Sequence, residues 1–164
     1  MSARDQLPAR PSERVSDRTL ERNALATALA RHAPRGAVRV AEALAATALN
    51  RRRRAERLWN GAFAAAVPGL ESIFAELPEQ PISTRADAAW NAACRRIAAR
   101  ALAGAGADPA MGAHCAVPAG AEAPLHAPIM TARIGPYAFF REDAGTGLRA
   151  WPSFAMVRAS QEMR

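Results

Sequence analysis

Three histidines, two cysteines and 15 acids carry whatever proton-transfer, nucleophilic or metal chemistry this chain performs, because all 22 basic residues are arginine. Arginine does not give up its proton in proteins, so lysine-type base or Schiff-base chemistry is closed. The soft ligands are His32, His114, His126, Cys94 and Cys115. His114 and Cys115 are adjacent, whereas zinc pairs converge from a spacing of two to four residues; no metal site is expected. Cys115 lacks a strand–turn–helix elbow, and a neighbour in sequence is badly placed to serve as its base. Cys94 reads as a small core residue on a helix. Gly104-Ala105-Gly106 runs into Asp108-Pro109 with no lysine downstream, so no phosphate loop and no cofactor are expected. Proton transfer by a carboxylate or an imidazole is what remains. A general acid needs a carboxyl held partly away from water, and Glu42, at the margin of an apolar helical arc, is the best-placed acid. Its bland alternative is a surface pair with Arg35 or Arg39. Glu71, Glu76 and Glu79 read as solvated loop residues.

These groups need elements to position them. Residues 1–14, with two prolines and three arginines, read as a loose arm. From Asp17 the chain shows helical spacing through Leu20, Ala24 and Ala28 and through Leu25 and Leu29, with Ser16 or Asp17 as N-cap. Pro34 disfavours helix in the residue before it, so this helix ends by Ala33. A second helix is expected from near Gly36 to about Trp59. Its small residues at 37, 41, 45 and 48 let another helix approach closely, as suits a central helix. A short helix is expected around 70–77, then an irregular connection. The third helix starts at Ser83 or Thr84, buries Trp90, Cys94, Ile97 and Ala101, and stops at Gly104. Beyond it, Gly and Pro interrupt every apolar piece as far as residue 136. Ile134 to Phe140 reads as a short strand or extended segment.

Composition narrows the class. A length of 164 residues suits one domain. Two cysteines cannot build a disulfide scaffold, and no apolar run reaches the ~18 residues of a membrane span. The first residues lack the apolar core of a secretory signal. The expected location is therefore the cytoplasm, with action elsewhere requiring release or delivery. The net charge of +7 is unevenly spread. Residues 31–57 carry eight arginines against Glu42 and Glu56, whereas residues 58–164 balance. The excess centres on Arg51-Arg52-Arg53-Arg54 and would attract a polyanion. Of the aromatics that nucleic-acid recognition uses for stacking, only Trp59 lies nearby. Arginine without lysine, with more than forty alanines, also matches the codon bias of a GC-rich genome.

Four pieces in order resemble the SleB-type cell wall hydrolases, the spore-cortex-lytic family. They are the helical segment from Glu42 ending in Asn50-Arg51; the helix Trp90 to Gly104; the turn Asp108-Pro109-x-x-Gly112-Ala113; and Ile134-Gly135-x-x-x-Phe139-Phe140-Arg141. The resemblance covers roughly residues 20–142. It implies a mainly α, lysozyme-like α+β fold with a small irregular or β C-terminal segment. The hydrolase-like domain would span 15–145, between the arm and a tail of 146–164. It implies cleavage of the glycan strand of peptidoglycan, as hydrolase or lytic transglycosylase, by one glutamate acting as acid and base. Counting back from Asn50 puts that glutamate position on His32. The family's aromatic after the Gly-Ala turn falls on Ala116, its tryptophan near His126, and its closing histidine on Tyr137. Scaffold positions match while chemical positions differ.

The resemblance thus makes Glu42 or His32 the catalytic group, with Asn50, Arg51, His126 and Tyr137 as glycan contacts, or else a cleft that holds glycan without cutting it. An imidazole changes charge near neutral pH, so it can replace a carboxyl in proton transfer. A different class of reading is a non-enzymatic helical module whose Arg35–Arg57 patch binds an anionic polymer, cell wall or nucleic acid.

Overall fold

The computed structural model describes residues 11–59, 69–80 and 87–142. Helix α1 spans Pro11–His32, α2 Val38–Trp59 and α3 Asp87–Leu102, with a short 3-10 helix at Leu70–Phe74. Strands β1 (Cys115–Pro118), β2 (Ile129–Ile134) and β3 (Tyr137–Arg141) form an antiparallel sheet in the order β1-β3-β2. The chain is mainly helical with a small β part. No helix among the described residues is long and apolar enough to cross a membrane.

α1 begins earlier than its apolar stripe suggests, reaching back to Pro11 and into the expected arm. Proline suits the first helical position, where its missing N–H costs nothing. The stop falls where expected. Ala33 N–H closes on the Leu29 carbonyl, Pro34 follows, and Gly36 turns the chain at φ +73°. Every residue from Ala43 to Leu49 is buried, which marks α2 as the central helix. There the Thr47 hydroxyl finds its partner within the helix, donating to the Ala43 carbonyl at 2.8 Å. α3 buries Trp90, Cys94, Ile97, Ala98 and Ala101. It ends with Gly104 N–H on Ala101 O and Ala105 N–H on Arg100 O, the paired bonds of a glycine C-terminal cap. Its expected cap at Ser83 or Thr84 lies outside the described residues, as does the tail with Trp151 and Phe154.

The extended segment expected from Ile134 to Phe140 is in fact the turn and second strand of a hairpin. β2 and β3 meet across Gly135-Pro136, with Ile134 opposite Tyr137 and Arg133 opposite Ala138. Gly135 has φ +56°, and a Cβ there would lie 2.9 Å from Val40 Cγ2, so glycine is required for the hairpin to rest on α2. The central strand β3 is buried on both faces. Tyr137 and Phe139 enter the main helical core, while Ala138 and Phe140 join Cys115, Val117 and Ala127 in a smaller cluster behind the sheet. Cys94 and Cys115 therefore lie in different clusters. Burial pushes the Cys94 thiol up to about 11 and raises Cys115 as well, which makes both poor nucleophiles.

Candidate functional site

His32 closes α1 and is 7% exposed. Its ring packs at a tilt on Phe74, with centroids 5.3 Å apart, and its Nδ1 lies 3.2 Å from the Pro78 carbonyl oxygen. A carbonyl only accepts, so Nδ1 carries the proton and Nε2 is left as the nitrogen that can exchange one. The backbone is fixed too. The buried Tyr137 hydroxyl donates to the His32 carbonyl at 2.6 Å, across 105 positions of sequence. Burial raises the Tyr137 phenol, and a hydrogen bond from Gln80 partly offsets that. Gln80 is itself anchored, its N–H on the Arg31 carbonyl at 2.6 Å. The last turn of α1, β3 and the stretch after the 3-10 helix therefore converge on one histidine.

An open groove of about 480 Å³ runs beside this point, lined by Leu20, Asn23, Thr27, Arg31, His32 and Phe74 with three alanines. Among the described residues no carboxylate lines it. Tyr137 was expected to touch glycan. Fully buried and bonded to a main-chain oxygen, it positions His32 instead.

Glu42 is placed elsewhere. It lines a crevice between α2 and α3 with Ile97, Arg100 and Gly106, and the free space there is about 10 Å³. That crevice has scarcely room for one water and none for a sugar ring. The Asn50 amide nitrogen is engaged within the protein. Nδ2 donates to the Ala113 carbonyl at 3.1 Å and to Asp108 Oδ2 at 3.2 Å. The Asp108 carboxylate also accepts from the N–H groups of Ala110 and Gly112, so Asn50 clamps the middle of α2 to this turn.

Arg51 and His126 do come together, in a charge cluster between α2 and the sheet. Arg54 pairs there with Glu142 Oε2, and His114 Nε2 lies 3.9 Å from Glu142 Oε1. Burial first, then the charges of Arg54, His126 and Arg51, hold His114 down to about 4. His126 is also lowered, by burial and Arg51, with Glu142 and Glu76 opposing. His114 was set aside for metal and nucleophilic chemistry and not considered as a buried neutral partner. Only the three-dimensional approach of Glu142 and two arginines reveals it. Among the described residues no group of His, Cys, Asp and Glu is arranged to hold a metal ion.

The Arg51–Arg54 run is mostly consumed by such contacts. Arg52 pairs with Glu21 of α1 at 2.8 Å and with Glu56 at 3.5 Å, Arg54 pairs with Glu142, and Arg53 alone of the four is exposed. Of the expected polyanion patch, Arg35, Arg52 and Arg54 are engaged in ion pairs.

The fold and the His32 groove define a mainly helical chain with a three-stranded antiparallel sheet and one placed imidazole. No family model matches the chain, and neither a curated protein nor a solved structure matches it.

Proposed function

We propose that this chain is a peptidoglycan-directed protein of lysozyme-like architecture, with the His32 groove as its glycan site and His32 as the single proton-transfer group of a lytic transglycosylase-type cleavage. The observation that carries the reading is a groove lined by His32, whose Nδ1 is committed to the Pro78 carbonyl, with no carboxylate among the described lining residues. Glycoside hydrolysis by water ordinarily uses two carboxyl groups flanking the bond. Intramolecular ring closure needs only one group, used twice. Protonated Nε2 gives its proton to the leaving glycosidic oxygen as the C1–O bond breaks. The sugar's own C6 hydroxyl then closes on C1, and its proton returns to Nε2. Asn23, Thr27 and Arg31 supply donors for sugar oxygens along the groove, and Phe74 an apolar wall.

The test is digestion of purified peptidoglycan, with mass spectrometry of the released sugars and co-sedimentation of the protein in parallel. The expected products are anhydro-sugars without added water, lost in His32→Asn, which keeps a donor for the Pro78 carbonyl. Products carrying added water overturn the ring-closure mechanism. An absence of both products and wall binding overturns the reading as a whole.

A further inference from the structure

A second pocket, of about 410 Å³, lies between α1 and α3, across the ridge of Asn23, Thr27 and Arg31 from the His32 groove. Its size is that of a small-ligand site. We propose that this pocket binds a sugar bearing a carboxylate.

The walls hold polar groups that the protein leaves unanswered. Trp90 is 7% exposed, yet its Nε1–H has no hydrogen-bond partner among the described residues. Asp87 gives Oδ1 to Arg35 at 2.9 Å, while its Oδ2 is buried and likewise lacks a hydrogen bond there. Native proteins rarely leave a buried donor or a buried acceptor orphaned, and these two lie three positions apart in the first turn of α3. A hydroxyl both donates and accepts, so a polyhydroxylated ligand carries groups suited to each. The charge is unanswered as well. Arg31 from α1 and Arg95 from α3 line the same pocket, and neither has a carboxylate within ion-pair distance among the described residues. A guanidinium matches a carboxylate in a two-bond fork. A bare phosphate would satisfy the arginines but set its charge against Asp87 Oδ2, and a neutral sugar would satisfy Asp87 and leave the arginines unused. A sugar acid meets both demands. Asn91, one helical turn before Arg95, adds an amide for further ring oxygens.

The pocket would take such a ligand whether or not the His32 groove cleaves glycan. Isothermal titration calorimetry of the full chain uses four probes: N-acetylmuramic acid, D-glucuronic acid, N-acetylglucosamine and inorganic phosphate. Saturable binding of at least one acid is expected, with N-acetylglucosamine and phosphate at least tenfold weaker. Preference for N-acetylmuramic acid marks a wall-derived ligand, and equal binding of both acids marks sugar acids in general. Arg95→Gln is expected to weaken the acids at least tenfold, and Trp90→Phe, which keeps an aromatic ring but loses the N–H, to weaken them severalfold. His32→Asn is expected to leave binding unchanged, which separates this pocket from the groove. No binding of either acid overturns the proposal, as do equally tight phosphate or N-acetylglucosamine and an Arg95→Gln variant that binds like the parent chain.

Discussion

Two sets of arginines in this protein do different work. On α2, Arg52 and Arg54 reach across to Glu21 and Glu142 and tie α1 and the end of the sheet to the central helix. On α1 and α3, Arg31 and Arg95 line a pocket in which neither has an ion-pair partner among the described residues. Within the charge-rich stretch 31–57, Arg35, Arg52 and Arg54 are held in ion pairs, whereas Arg31 has none among the described residues. Arg95 belongs to the stretch that balances overall, and it is left exposed. Charge summed along a chain reports solubility and long-range attraction. Where a ligand binds depends on which charges folding leaves unmatched.

Acid should break the first side of this contrast, with the largest effect. His114 is lowered from 6.5 to about 4 in the folded protein, chiefly by burial and then by the arginines. Between those two values the unfolded chain binds the extra proton and the folded chain does not. The stabilisation is therefore fully present above pH 6.5 and is lost as pH falls towards 4, where the loss levels off. The 2.5-unit difference corresponds to ~3 kcal/mol. Urea midpoints measured from pH 7.5 to pH 4 should fall over this window. In His114→Gln the part of the decline due to this residue should vanish. A variant with the parent's full acid sensitivity would show that the cluster does not hold His114 neutral.

Removing Arg54 should give the next largest effect. Glu142 is only 17% exposed in its side chain, and Arg54→Met leaves it without its cation. Breaking a fully buried pair costs ~3–5 kcal/mol, and the residual hydration here brings the expectation down to ~2 kcal/mol at pH 7. The acid response should also shrink. With Arg54 gone, one repulsive charge has left His114, and Glu142 at 3.9 Å becomes its ion-pair partner. Chemical denaturation of the variant at pH 7 and pH 5 checks both statements. A stability unchanged at pH 7 would mean that the tie between α2 and Glu142 is ornamental.

Legibility in the sequence followed locality. α3 was readable because Trp90, Cys94, Ile97 and Ala101 repeat at helical spacing and Gly104 ends the run. β1 was not, since Cys115–Pro118 is four residues long and set among glycines and prolines. β2 was not either, because it is half-exposed on both faces and a bulge at Thr131 breaks its alternation. The same division runs through the sites. His32 and Tyr137 were singled out by position, but the bond joining them spans the chain, and so the role of Tyr137 was misassigned. Glu42 was rightly placed at the edge of an apolar arc. That its crevice has no room depends on how closely Gly106 and Ala101 approach. Trp90 was read only as core, and nothing local says that its indole N–H faces a wall without a partner.

The smallest expected effect bears most directly on the contrast. Arg95 lies on the exposed side of α3 and contributes no ion pair among the described residues, so Arg95→Gln removes no folded-state contact that stabilises the chain. Its stability should change by less than ~0.5 kcal/mol, as for surface substitutions away from special features. Relief of repulsion from Arg31 in the same pocket would, if anything, raise it slightly. The same substitution is expected to abolish most of the pocket's affinity for a sugar acid, whereas Arg54→Met should damage the fold and spare that affinity in the molecules that remain folded. Melting curves for the two variants, set beside their titrations, form a crossed pair: one arginine matters to folding and the other to binding. If Arg95→Gln instead loses stability on the scale of Arg54→Met, then Arg95 has a partner within the protein, and the two faces use their arginines in the same way.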